Sequence, residues 1–96
     1  MRFSFVYLMT NRPNGVLYCG VTTDLVRRVA EHRAGAAPGF TKRYGLKTLV
    51  WFETHEDIAV AIAREKAIKH LTRAEKARLI LRDNPDWRDL WPEISG

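Results

Sequence analysis

Phe3-Ser4-Phe5-Val6-Tyr7-Leu8-Met9 is the stretch on which the fold turns. It is rich in aromatic and branched residues, and both of its alternating faces are apolar. A strand of that kind lies in the middle of a sheet and is covered on both sides. After it, Asn11-Arg12-Pro13-Asn14-Gly15 is turn chemistry, so Val16 to Val21 returns as a second strand and closes a hairpin. If Thr10 pairs with Gly15 across a loop of Asn11 to Asn14, Tyr7 falls opposite Tyr18 on one sheet face. Leu46 to Thr54, centred on Leu49-Val50-Trp51-Phe52, reads as a third strand. With strand one in the middle, the order is 2-1-3 and strand three runs antiparallel to strand one.

The segments between are helical or breakers. Thr23 or Asp24 can cap a helix running to about Ala34, with Leu25, Val29 and Val26 inward. Gly35 to Gly39 stops it, and Phe40-Thr41-Lys42-Arg43-Tyr44-Gly45 follows as a basic loop. Asp57 to about Leu71 is a second long helix. Thr72-Arg73-Ala74-Glu75 is a capping box that starts another, ending at Asp83 before Asn84-Pro85. Asp86 to Trp91 reads as a closing turn anchored by Trp87, Leu90 and Trp91. The order β-β-α-β-α-α predicts an α/β (α+β) fold, a three-stranded antiparallel sheet flanked by helices, as one domain over residues 1–96.

Composition narrows the function. The chain has 96 residues, enough for one core and too few for two domains. Lys and Arg number 16 against 11 Asp and Glu, a formal +5, which favours a polyanionic partner such as nucleic acid. A basic but inert surface is the plain alternative. A lone cysteine, Cys19, rules out an internal disulfide and a Cys-rich zinc site and fits a reducing, cytoplasmic setting. The apolar runs are too short for a membrane span, and no signal peptide or obligate protein partner is read.

Glu65 is the sharpest local signal. It shares a helical face with Ile58 and Ile62 and is flanked by Ala61 and Ile68. A carboxylate among apolar residues is costly unless it is paired or binds a cation. A structural ion pair, with Arg28 or a nearby lysine, and a divalent-metal ligand are both open. Arg28 and His32, spaced i, i+4, share one helix face and could grip a phosphate or relay a proton, or could simply be solvated. Tyr7 and Tyr18 on one face are packing residues unless they point at the same place. A tyrosine serves as base only if a neighbouring cation lowers its pKa from about 10. Lys42, Arg43, Lys66, Lys69 and Arg73 suggest a phosphate-tracking surface. His32, His55 and His70 lack zinc spacing, no acidic pair for two metals is present, and no phosphate-binding glycine loop occurs.

These residues resemble the GIY-YIG nucleases. Phe5-Val6-Tyr7 stands at the first motif and Tyr18-Cys19-Gly20 at the second. The run from Gly20 through Leu25, Arg28 and His32 is similar to the family's helix-1 signature. Ala63-Arg64-Glu65-Lys66 is similar to the segment with its metal-binding glutamate, and Asn84-Pro85-Asp86-Trp87 to its late asparagine. Phe5-Val6 in place of Gly-Ile and Cys19 in place of Ile depart from the pattern; Cys19 should face away from Tyr18 and pack. The resemblance spans about Phe3 to Trp91 and is closest to the small single-domain branch. It implies a phosphodiesterase site of Tyr7, Tyr18, Arg28, His32 and Asn84, with one Mg²⁺ or Mn²⁺ on Glu65; the hairpin register and the place of Glu65 on its helix predict that Tyr7, Tyr18, Arg28, His32 and Glu65 converge on one concave surface. The function it implies is a metal-dependent endonuclease acting on nucleic acid, DNA ahead of RNA, with low sequence specificity. The alternative is a nucleic-acid-binding module of the same fold with little or no cleavage.

Overall fold

The computed structural model describes residues 2–36 and 39–96, with the backbone alone at Phe40. Three strands form one sheet: β1 (Ser4–Thr10), β2 (Leu17–Thr22) and β3 (Thr48–His55), ordered β2-β1-β3 with both pairings antiparallel. The two-sided apolar pattern of Phe3 to Met9 thus sits where such a strand must, between its neighbours. Val6, Tyr7, Leu8 and Met9 are all fully enclosed.

The pleat divides the core into two layers. Val6, Leu8 and Cys19 face α3 (Ile58–Lys69) and α4 (Arg73–Asp83), where Ala61, Ile68 and Ile80 meet them. Tyr7 and Met9 face α1 (Leu25–Arg33), packing with Leu25, Val29 and Leu90. Along β3 the alternation breaks once. Leu8 pairs with Trp51 but Met9 with Leu49, so Val50 is an extra residue in a bulge. The bulge lets Val50 and Trp51, successive in sequence, both join the α3 and α4 layer.

The hairpin register differs from the expected one by two residues. Tyr7 pairs with Gly20 and Met9 with Tyr18, and the strands are joined by Asn11 to Val16. The connection is longer because Asn14 takes a left-handed backbone (φ 57°), the Gly15 N–H donates to Arg12 O, and the Asn11 side chain accepts from Val16 N. An offset of two keeps every side chain on its expected face, so Tyr7 and Tyr18 still share one.

The helix ends follow local chemistry. The Asp24 carboxylate accepts from Arg27 N to start α1, Asp57 accepts from Ala59 N to start α3, and the Thr72–Glu75 capping box opens α4. Val26, expected inward, is exposed, while His32 takes the inward place one turn beyond Val29. The expected basic loop contains a single short helix, α2 (Phe40–Tyr44), closed by Gly45 in the left-handed conformation. Ala37 and Pro38, part of the expected helix stop, lie outside the described residues. A last short helix, α5 (Trp91–Ser95), follows the closing turn, in which Trp87 and Leu90 are buried. Among the described residues no helix is long and apolar enough to cross a membrane.

Candidate functional site

Tyr7, Tyr18 and His32 form a triangle of rings on the α1 side of the sheet. Ring centroids lie 6.3 Å apart for the two tyrosines and 5.7 Å from each tyrosine to His32. The backbone makes this possible at Gly20. A Cβ there would sit 2.5 Å from the Tyr7 hydroxyl and ring, so only glycine lets the phenol lie across β2. The Tyr7 hydroxyl reaches His32 Nε2 at 3.0 Å, and His32 Nδ1 reaches Thr41 Oγ1 at 3.1 Å. Three elements are thereby joined by one buried chain. Thr41, on α2, was not among the expected site residues. No sequence signal marks it, because its value lies in meeting a histidine nine residues away.

Burial disfavours the charged forms of Tyr7 and His32. Burial, and then the neighbouring Tyr18, push the Tyr7 phenol far above its ordinary range, and the Arg28 charge only partly opposes them. Arg28 alone does not give Tyr7 the lowered pKa that a tyrosine base needs. Burial and the charge of Arg28 lower the pKa of His32, against the opposing pull of Glu31. Arg28 itself is half-exposed and pairs with Glu31 at 3.2 Å.

Glu65 belongs to the other layer. It rides on α3, across the sheet from α1, and its backbone carbonyl accepts a long contact from Cys19 Sγ at 3.9 Å. Ile58 and Ile62, expected to enclose it, are exposed; Ala61 and Ile68 are the buried residues of α3. The Glu65 carboxylate, 13% exposed, takes the Lys69 ammonium at 2.9 Å. That hydrogen bond raises the pKa of Lys69, which also senses Tyr18 and Cys19, so the pair borders the β2 edge. Burial, then the Glu65 charge, push the Cys19 thiol up to about 11, and it packs on the α3 side as its alternation predicts.

Asn84 is fully committed to the backbone. Its amide donates to Val50 O at 3.0 Å and to Arg88 O at 2.8 Å, and its side-chain oxygen accepts from Arg88 N at 3.2 Å. It satisfies the carbonyl of the bulged residue and fastens the turn after α4 to β3.

The cations expected to meet nucleic acid divide into two groups. Lys42, Arg43 and Lys66 are exposed. Lys69 is engaged by Glu65, and the Arg73 guanidinium donates to the carbonyls of Asn14 and Gly15, pinning the hairpin loop to the start of α4.

A central strand between two antiparallel partners, with paired tyrosines on one face beside a helix carrying Arg28 and His32, defines a GIY-YIG domain. The sequence profile of the GIY-YIG catalytic domain matches residues 3–78, and the chain belongs to that family. Similar proteins from several organisms carry the designation UPF0213. A UPF0213 protein of Vibrio parahaemolyticus is 37% identical over 75 residues, covering 78% of this chain and 70% of its own length. One from Natronomonas pharaonis is 40% identical over 76 residues, covering 79% and 88%. The solution structure of a UPF0213 protein from Bacillus halodurans superposes with a TM-score of 0.57 at 28% identity, over 88% of this chain and 89% of that one.

These findings correct the expectation of a metal-dependent endonuclease. UPF0213 members are not established nucleases. Among the described residues, no three His, Cys, Asp or Glu side chains assemble as a metal-ligand group. Glu65 is paired with Lys69 at 2.9 Å in this structure. Of the two readings of Glu65 left open by the sequence, the nearby lysine is the partner found. The enzyme and hydrolase assignments drawn from the resemblance fall with the endonuclease expectation.

Proposed function

We propose that the protein is a nucleic-acid-binding module on a GIY-YIG fold, with little or no cleavage of its own. The observation that carries this reading is the charge of the α3–α4 segment. From 58 to 83 the chain has seven Lys and Arg (Arg64, Lys66, Lys69, Arg73, Lys76, Arg78 and Arg82) against three acids, Glu65, Glu75 and Asp83. Exposed Lys42 and Arg43 on α2 add positive charge on the α1 side of the sheet. Such a surface binds phosphates by releasing condensed counterions, which gives affinity without strong base selection. DNA stands ahead of RNA as partner, without a preference for sequence.

The test is fluorescence anisotropy with labelled DNA and RNA oligonucleotides over a salt series. Affinity should fall linearly on a log–log plot, by about 0.9 in slope per neutralised duplex phosphate. Replacing Lys42 and Arg43 with alanine should weaken all sequences alike and reduce that slope by about one per lost phosphate contact. Binding that ignores salt, or none at low salt, contradicts the proposal.

A further inference from the structure

We infer that Thr41 is a positioning residue: its hydroxyl fixes His32 in the tautomer with hydrogen on Nδ1, and the same bond fastens the basic turn α2 to Tyr7. The chain of contacts runs Tyr7 hydroxyl, His32 Nε2, His32 Nδ1, Thr41 Oγ1, with separations of 3.0 and 3.1 Å. All three side chains are buried, at 1%, 5% and 5% exposure, so water does not substitute freely for any partner. A neutral imidazole has one N–H and one lone pair. Of the two hydroxyls in contact with it, the phenol of Tyr7 is the more acidic and the better donor. Tyr7 therefore donates to Nε2, and the ring hydrogen resides on Nδ1, donating to Thr41. An unconstrained imidazole favours the opposite tautomer, so the arrangement is imposed by its two partners.

The same bond has a second effect. α2 has five residues, too few to hold a helix without tertiary support. It is bounded by Gly39 and Gly45, both at positive φ, which leaves its ends freer to pivot. Thr41 is its described side-chain link to the tyrosine cluster, and the two residues after it are Lys42 and Arg43. The orientation of those cations is thus set from the buried cluster. Their use in binding rests on the nucleic-acid reading; the tautomer and the fastening do not.

Long-range ¹H–¹⁵N spectra of the full chain report which His32 nitrogen carries hydrogen. The expected result is Nδ1–H in the natural protein. Thr41→Val should shift the ring toward Nε2–H and speed amide exchange over residues 42–45, and Thr41→Ser should restore both. If the valine variant does not fold, Thr41→Ala repeats the comparison, and the natural protein's tautomer decides without any variant. Nε2–H in the natural protein, or a hydroxyl-free variant with unchanged tautomer and exchange, overturns the inference. A labelled oligonucleotide should bind Thr41→Val about two- to tenfold more weakly, the scale of one neutral hydrogen bond. Unchanged binding with a shifted tautomer overturns the link to Lys42 and Arg43. If the natural protein binds no oligonucleotide while tautomer and exchange behave as expected, the role of Thr41 stands and the nucleic-acid reading fails.

Discussion

Gly20 and Tyr7 are one structural unit, since the space above the glycine is the seat of the phenol. Gly20→Ala should cost about 1–3 kcal/mol, the usual range for overfilling a packed core, and should displace the Tyr7 hydroxyl from His32. Urea unfolding and the His32 ring signals check both; an alanine tolerated without loss would mean that the ring moves aside freely. The Glu65–Lys69 pair makes a milder claim. Lys69 is half-exposed, so solvent screens the interaction and its worth is about 1 kcal/mol or less. Glu65→Gln should lower stability by no more than that, and a double-mutant cycle with Lys69→Met should recover most of it as coupling. A gain in stability from Glu65→Gln would show that the carboxylate lacks effective compensation. At this scale the sequence flagged Glu65 correctly as a carboxylate in need of a partner. It could not choose the partner, because a lysine at i+4 and a bound metal satisfy the same requirement.

The elements show where pattern suffices and where it does not. The strand order was legible in Phe3 to Met9 alone, because a strand apolar on both faces has only one place in a three-stranded sheet. The Thr72 capping box was legible because its partners are three residues apart. The bulge at Val50 was not, since Leu49-Val50-Trp51-Phe52 is apolar at every position and offers no alternation to break. α2 was hidden in the same way: Phe40 to Tyr44 is too short to show a period. Asn84 was visible as a helix terminator before Pro85, but its bond to Val50 O depends on the bulge and could not be foreseen. That bond carries the clearest expectation at this scale. Asn84→Ala strips a partner from three backbone groups, with Val50 O buried, and should cost about 2–3 kcal/mol. A thermal melt measures it, and a variant as stable as the natural protein would contradict the structural role assigned here.

For the molecule as a whole, acid should act first through His32. The groups facing it are Arg28 and Glu31 on its own helix, Tyr7 from β1, Tyr18 from β2 and Thr41 from α2. Its folded-state pKa lies below the unfolded value of about 6.5, so the unfolded chain takes up the proton first. The stability contributed by the neutral ring is therefore complete above about pH 6.5 and is lost as pH falls from there through the folded pKa. Urea midpoints should drop between about pH 7.5 and 5.5, in step with protonation of the His32 ring in the unfolded chain; a flat profile across that range contradicts the expectation. The hairpin sets a different constraint on the same cluster. Its connection, Asn11 to Val16, decides which layer receives Tyr18 and which receives Cys19. Removing or adding two residues there slides β2 along β1 with its faces kept. Removing one would turn the thiol toward His32 and the phenol toward α3. Length changes in this loop are therefore permitted in even steps and exchange the two layers in odd ones.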